Sequence, residues 1–192
     1  MKKILAVILS VMLVCSVLSF SVAEEEETAG THFEQVLLKK GSLIKKEFID
    51  ITTIDDDSGL ASYGYGNMTS QAAILTDMTN GAKVYALRLT ITYFASQYDS
   101  GEKVGVLDLE EIDSVISTLK SLKNEFASNL VDYTEFLYTS NSGMKVGGYH
   151  TASSDKLLVQ FTSSVSAVFN ISRVDELIKF FEDAKTDIEG RM

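Results

Sequence analysis

The densest group of chemically capable side chains in this sequence is acidic and begins at Asp55. Three aspartates at positions 55–57 are followed by Ser-Gly, and Ca²⁺ prefers several oxygen ligands presented by one turn. The spacing does not fit an EF-hand, because Gly59 is the fifth residue from Asp55 and Gly66 stands where a bidentate Glu is required. We therefore favour a solvated loop over a calcium site.

Other side chains with catalytic or ligand-binding potential are sparse. His32 and His150 are the only histidines, and they form no HExxH or other paired-histidine motif for zinc. The chain has no GxSxG sequence for a nucleophilic serine. Gly64-Tyr65-Gly66 lacks the third glycine of a dinucleotide-binding loop, so we interpret it, like Gly147-Gly148, as a β-bulge or close backbone approach. The sequence thus predicts no catalytic, cofactor-binding or metal-binding residue.

Tyrosine is the aromatic residue with the clearest binding potential, since the chain has eight tyrosines and no tryptophan. A tyrosine on an exposed sheet face can stack on a sugar or anchor a partner. Half-buried sheet packing is the favoured interpretation. It applies to the tyrosines outside the main apolar stripe: Tyr63, Tyr65, Tyr98, Tyr133, Tyr138 and Tyr149.

The N-terminal segment has the pattern of a secretory signal peptide. Lys2 and Lys3 precede an apolar run over 4–20, and Ser21-Val22-Ala23 has the small-x-small pattern of a cleavage site. A membrane anchor is the alternative, because the run is close to the shortest spanning length. We predict a signal peptide at 1–23 cleaved near Ala23, of bacterial type by resemblance, followed by a flexible acidic tail at 24–30 and a secreted protein.

Charge and cysteine content narrow the function of the secreted part. Cys15 is the only cysteine and leaves with the predicted signal peptide, so the mature chain contains neither disulfides nor a thiol nucleophile. Loss of Lys2 and Lys3 leaves 15 basic and 27 acidic residues, a net charge of −12. Such a protein repels phosphate backbones and anionic lipids. We predict that it binds neither nucleic acid nor, after cleavage, a membrane.

The first part of the mature chain has the period-two pattern of strands. We predict a hairpin from strands over 33–39 and 43–53, joined at Gly41-Ser42. A second hairpin over 68–78 and 83–94 contains Asn80-Gly81, which favours a two-residue type I′ turn with Thr79 opposite Ala82. The expected core face of its second strand is Tyr85, Leu87, Leu89, Ile91 and Tyr93.

The later elements alternate between strand and helix patterns. A strand over 104–109 precedes a helix whose apolar face is Ile112, Val115, Ile116, Leu119, Leu122 and Phe126. A hairpin over 133–140 and 144–151 follows, then strands over 157–162 and 167–171. Ser172 is the expected N-cap of the last helix and Gly190 its end. The apolar face of that helix is Val174, Leu177, Ile178, Phe181, Ala184 and Ile188.

An offset of 62 residues aligns the two strand-to-helix transitions, with Asp113 matching Asp175. Each helix also closes a run of about four strands. The predicted fold is α+β, an antiparallel β-sheet with two amphipathic helices in one compact domain over 31–192. A tandem ββββα duplication, with half-repeats 43–128 and 133–190, is a further hypothesis.

This order of elements resembles the PUR-type and Whirly-type single-strand nucleic-acid-binding proteins. The resemblance concerns topology only, since none of their motif residues is present. It implies a sheet with two helices, and no functional residue is carried over. The acidic charge opposes their activity, because single-strand binding needs a basic groove beside stacking aromatics.

Two functional hypotheses follow. The first is an exported non-catalytic protein, without cofactors, that binds an unknown protein or small ligand through an exposed sheet face. The alternative is a small extracellular hydrolase with a carboxylate pair, which requires a cleft where two carboxylates converge and their pKa values are raised.

Overall fold

Two four-stranded antiparallel sheets and two long helices dominate the computed structural model, which describes residues 30–57, 65–96, 99–128 and 130–192. The predicted signal peptide at 1–23, and residues 24–29 of the predicted tail, lie outside the described residues. The first sheet has the order β1 (Ile44–Asp55), β2 (Tyr65–Asp77), β3 (Lys83–Ser96) and β4 (Asp99–Asp108). The second has the order β5 (Tyr133–Thr139), β6 (Lys145–Thr151), β7 (Ser154–Thr162) and β8 (Val165–Asn170).

The helices are α1 (His32–Leu37), α2 (Leu109–Glu125) and α3 (Val174–Glu189). The predicted strand over 33–39 is therefore wrong. Thr31 and Glu34 form a capping box that starts α1, and the Asp108 carboxylate accepts hydrogen bonds from the backbone N–H groups of His32 and Phe33. A carboxylate at a helix N-terminus is stabilising. Because this partner is 75 residues away, local pattern did not reveal it.

The predicted two-residue turn at Asn80-Gly81 is also wrong. Asp77, not Thr79, lies opposite Ala82, and its backbone N–H donates to the Ala82 carbonyl. Of the two residues Asn80 and Gly81, only Gly81 has a positive φ, of 75°, whereas a type I′ turn needs two successive residues with a positive φ. The register differs from the predicted one by two residues. A shift of two keeps every side chain on its face, so the predicted core stripe from Tyr85 to Tyr93 is confirmed.

The apolar faces of both long helices are confirmed. Each predicted residue is buried, and Phe126 is packed against the core as a half-buried ring. Ser172 is not the N-cap of the last helix, because a single 3₁₀ turn over Ile171–Arg173 comes first and Arg173 occupies the cap position. Gly190 follows the end of α3 as expected.

Each ββββα run packs its long helix against the sheet of the other run. Helix α2 contacts β5 and β6 of the second sheet as well as β3 and β4 of the first, while α3 contacts β1, β2 and β3 of the first. One hydrophobic cluster consequently contains residues from both sheets and both long helices. The α+β class with antiparallel sheets and a ββββα-like repeat is confirmed.

Ion pairs between the two helices repeat with the 62-residue offset. Asp113 binds Lys185 at 2.6 Å, and the positions 62 residues later and earlier, Asp175 and Lys123, bind each other at 2.7 Å. Lys120 binds its own equivalent, Glu182, at 2.8 Å. A contact set in which each pair has a reciprocal pair is the pattern of a two-fold axis. The helices thus run antiparallel about a pseudo-two-fold axis.

Candidate functional site

The outer face of the first sheet, which points away from α2 and α3, is only partly covered. Helix α1 packs Phe33, Val36 and Leu37 against one end of this face. The remainder is open, and its middle row is formed by the cross-strand neighbours Asp50, Gln71 and Arg88. We call this open area the Arg88 face; its further members are Phe48, Thr53, Thr69, Thr90 and Val104.

Arg88 lies at the centre of this face and is half-buried. Its Nη1 donates to the Gln71 Oε1 atom and to the Thr90 hydroxyl, the latter at 2.8 Å. Gln71 in turn donates from Nε2 to the Asp50 carboxylate. Within the described ranges, Arg88 takes part in none of the ion pairs. Its Nε and Nη2 donors make no hydrogen bond to another described residue.

An exposed aromatic ring lies beside this guanidinium. The Arg88 Cζ atom is 5.0 Å from the centroid of the Phe48 ring, within the range of a cation–π interaction. Phe48 keeps 46% of its surface exposed although its ring is one of the larger apolar groups of the chain. The guanidinium is thus held by this ring contact and by the hydrogen bonds of Nη1.

Hydroxyl groups extend the Arg88 face along the strands. Thr53, Thr69 and Thr90 are aligned across β1, β2 and β3, and the hydroxyls of Thr53 and Thr69 lie 3.1 Å apart. A hydroxyl both donates and accepts hydrogen bonds. The face therefore offers an apolar ring, a cationic fork and a row of hydroxyls on one surface, a set of groups that can contact a ligand.

Asp57, the last of the three aspartates, contacts the other half of the chain rather than lying in a solvated loop, which corrects the sequence interpretation at this residue. Asp57 binds the Arg173 guanidinium at 2.7 Å and accepts a hydrogen bond from the Asn170 backbone. Its own backbone N–H donates to the Val168 carbonyl. Ser58 and Gly59 lie outside the described residues.

These contacts lower the pKa values of two carboxyl groups, those of Asp57 and Glu176. Burial raises the pKa of Asp57, but the hydrogen bonds from Asn170 and Arg173 outweigh it, so the pKa lies below its ordinary value. A hydrogen bond from Arg173 likewise lowers the pKa of Glu176. Both carboxyl groups thus favour the charged form, the opposite of the raised pKa that a general acid needs.

We expect Arg173→Ala to lower the free energy of unfolding by about 1–3 kcal/mol at pH 7, because it removes charge-assisted hydrogen bonds to the half-buried carboxylate of Asp57 and to the exposed one of Glu176. The unfolded carboxyls titrate near pH 4. Since the folded pKa values of Asp57 and Glu176 are lower, their stabilisation is complete above that pH and disappears as the pH falls through the folded values. Urea unfolding between pH 7 and pH 2 should show the two proteins converging; a constant gap would contradict this assignment.

The equivalent contact on the other side of the pseudo-two-fold axis uses Glu111, which lies 62 residues before Arg173. Its Oε1 accepts hydrogen bonds from the Asn141 backbone at 2.7 Å and from the Tyr138 hydroxyl at 3.2 Å. Burial and the Glu111 charge raise the pKa of Tyr138 to about 12. The Ser142 hydroxyl donates to the carbonyl of Val106, and the backbone N–H of Asp57 donates to the carbonyl of Val168, the equivalent of Val106. Each half therefore holds the first hairpin loop of the other.

Asp108 and Glu111 are the buried carboxylate pair most relevant to the hydrolase alternative. The Asp108 oxygens accept from the first backbone N–H groups of α1, and Glu111 Oε2 accepts from the Asp108 backbone at 3.0 Å. Because Glu111 Oε1 is also engaged, all four carboxylate oxygens already accept hydrogen bonds. These two acids cap helices and hold a loop; the hydrolase alternative stays a prediction without an identified pair.

The histidines are not brought into a common metal site by any described cluster. His32 is exposed at the start of α1, and the Nδ1 atom of His150 lies 2.6 Å from the Asp155 carboxylate across β6 and β7. Within the described ranges, three or more His, Cys, Asp or Glu side chains are not grouped in a way that could hold a metal ion.

The glycine interpretations are confirmed where the structure describes them. Gly66 lies at a register shift between β2 and β3, and a Cβ atom there would lie 2.9 Å from the Thr92 carbonyl. At Gly147 a Cβ atom would overlap the Phe136 carbonyl, and at Gly148 it would lie 2.6 Å from the Lys156 carbonyl. Gly64 lies outside the described residues.

The tyrosines do not form one common surface. Tyr133 is 61% exposed on β5, whereas Tyr138 is half-buried against the core and Tyr149 is half-buried on β6. Tyr63 and Tyr98, and the side chain of Tyr65, lie outside what the structure describes. Sequence reasoning missed Arg88 and Phe48, although the strand alternation that placed Leu87 and Leu89 inward also placed Arg88 outward.

Fold and surface together define an α+β protein with a pseudo-two-fold axis and an open sheet face centred on an arginine. No protein-family model, curated protein or solved structure matches the chain. None of the helices in the described ranges is both long and apolar enough to span a bilayer.

Proposed function

We propose that this chain is an exported, non-catalytic binding protein that recognises its ligand through the Arg88 face. The observation that carries the proposal is the guanidinium of Arg88, which is stacked on Phe48 and keeps its Nε and Nη2 donors unused by other described residues. That edge of a guanidinium binds carboxylate or sulfate groups with two parallel hydrogen bonds. The proposed export rests on the signal-peptide pattern at 1–23.

The surrounding side chains favour a particular class of ligand. The exposed Phe48 ring offers an apolar platform, and the threonine hydroxyls and the Asp50 carboxylate offer hydrogen-bonding groups around it. Sugars present apolar ring faces edged with hydroxyls, and aromatic rings stack on them. The favoured ligand is therefore a saccharide that carries a carboxylate or sulfate group. Nucleic acid is disfavoured because the net charge of −12 without the predicted signal peptide repels a dense phosphate backbone.

The proposal is tested with residues 24–192 and immobilised acidic polysaccharides of low charge density, highly methyl-esterified pectin and lightly sulfated dextran, with neutral dextran as reference. We expect saturable binding to an acidic polymer and at least about tenfold weaker binding for Arg88→Ala, since a charged hydrogen bond contributes about 1.5–3 kcal/mol. Phe48→Ala should also weaken binding through loss of the platform.

Arg191→Ala is the matched control, because it removes the same side chain from the C-terminal end of the chain, where Arg191 pairs with Asp187. It should bind as the wild type does. Equal affinities of the wild type and Arg88→Ala for every polymer, or no binding to any acidic polymer, would overturn the ligand assignment.

A further inference from the structure

Strand β5 is an edge strand of unusual openness. It pairs with β6 over seven successive residues without a bulge, and Glu135 is its only charged residue. Within the described ranges, no backbone hydrogen bond from another segment reaches its outer edge. An unprotected edge can accept a further strand. By contrast, the equivalent edge strand β1 carries Lys45 and Lys46 and has a register shift between Asp50 and Thr52, both of which discourage such pairing.

A groove runs between this edge and α2. Its volume is about 350 Å³, and its lining includes Leu122, Phe136, Leu137 and Tyr138, with the hydroxyls of Thr118 and neighbouring serines on the helix. Two walls of different kind meet here: a helix side with small hydroxyl residues, and a strand side with large apolar ones. The groove is therefore mostly apolar but open at its top.

The pseudo-two-fold axis supplies a comparison for this groove. The equivalent space between α3 and β1 is only about 170 Å³. There the residue 62 positions after Thr118 is Phe180, whose side chain is only 4% exposed and packs in the core cluster. Thr118 leaves open the space that a benzyl side chain fills in the other half. The comparison between the two halves thus indicates that an aromatic side chain would fit the groove beside Thr118.

Charge indicates what accompanies that group. Glu125 lines the groove, and Glu135 is exposed on β5 in a chain with an excess of acidic residues. In a partner strand paired with β5, the residue opposite Phe136 is followed or preceded by the residue opposite Glu135. These two partner residues point to opposite faces, because successive side chains alternate between faces. A basic side chain opposite Glu135 gives a favourable cross-strand pair.

We propose that the edge of β5 binds an extended peptide, which pairs as an additional strand, inserts one aromatic side chain beside Thr118 and carries a lysine or arginine next to it. This is strand addition with a specificity pocket. A second copy of the chain fits less well, since the groove-side residues of its own β5 include Phe136 and Tyr138, which already pack in its core. The site is separate from the Arg88 face and does not depend on its ligand.

The probe is a fluorescein-labelled peptide, acetyl-KTVFKTK-amide, titrated into residues 24–192. Thr118→Phe fills the groove with the side chain that the other half uses, and Thr118→Val is the matched control of similar size. We expect the wild type and Thr118→Val to bind, and Thr118→Phe to bind at least about tenfold more weakly, because burial of one aromatic side chain is lost. Circular dichroism establishes that both variants are folded.

Two further measurements separate the alternatives. Replacing the peptide phenylalanine by threonine should weaken binding to the same extent, and Glu135→Lys should reverse the preference from a lysine peptide to its glutamate counterpart. Unchanged binding by folded Thr118→Phe, or no binding of the probe to the wild type, would overturn the proposal. Sedimentation of the wild type as a dimer that Thr118→Phe converts to monomer would also overturn it and assign the groove to a second copy.

Discussion

Leu119→Asp and Phe181→Asp are each expected to destabilise the mature chain severely at 25 °C. Both side chains are fully buried in the core cluster, and they are related by the 62-residue offset at the crossing of α2 and α3. An aspartate at either position places an unpaired charge between two helices and two sheets, a change that costs about 4–5 kcal/mol or more. Such a loss is a large part of the total stability of an ordinary domain.

Circular dichroism and urea unfolding of the purified variants measure this effect. Ser121→Asp is the control, because it introduces the same charge at an exposed position of α2 and should change the free energy of unfolding by no more than about 0.5 kcal/mol. A cooperative unfolding transition of Leu119→Asp with the same midpoint urea concentration as the wild type would contradict the placement of the helix crossing at the centre of the fold.

The mild Ser121→Asp expectation and the severe Leu119→Asp expectation come from the same periodicity, and that periodicity was the most reliable feature of the sequence. Helix and strand faces depend on which side chains share a surface, and this is encoded locally. For this reason the core stripe on β3 remained correct although the β2–β3 register differed by two residues.

Local sequence patterns could not predict contacts between residues that lie far apart in the chain. Helix α1 begins at His32 because Asp108 accepts hydrogen bonds from its first backbone N–H groups. The capping box at Thr31 and Glu34 is a local signal for this helix, but the β-rich composition of the segment favoured a strand. Asp57, in the acidic group at 55–57, pairs with Arg173, which lies 116 residues later. A sequence without its fold shows three aspartates and a turn, so a solvated loop was the natural interpretation.

The candidate site shows the same division. Alternation along β3 places Arg88 on the face opposite the core, so its outward position was predictable. Its placement near Phe48 depends on the pairing of β1 with β2 and of β2 with β3. The groove beside Thr118 could not be predicted from the sequence either. It is recognised only when the space beside α2 is compared with the smaller equivalent space beside α3.

Gly147→Ala is expected to lower the free energy of unfolding by about 3 kcal/mol or more. Gly147 lies in β6, and a Cβ atom there would overlap the carbonyl oxygen of Phe136 on β5. A backbone oxygen cannot rotate away as a flexible side chain can, so the strands must separate or lose pairing. Overpacking of this kind costs several times more than an ordinary surface substitution.

Gly101→Ala on β4 provides the matched comparison, since its Cβ atom would lie 3.6 Å from the Tyr93 ring, an ordinary contact distance. We expect its free energy of unfolding to remain within about 0.5 kcal/mol of the wild type. Urea unfolding of the three proteins decides the matter, and a Gly147→Ala midpoint equal to that of Gly101→Ala would contradict the close strand approach. Because Phe136 also lines the groove, any folded fraction of Gly147→Ala should bind the aromatic peptide more weakly than Gly101→Ala does. The glycine that the sequence marked as a close backbone approach thereby positions the edge strand on which the proposed peptide site depends.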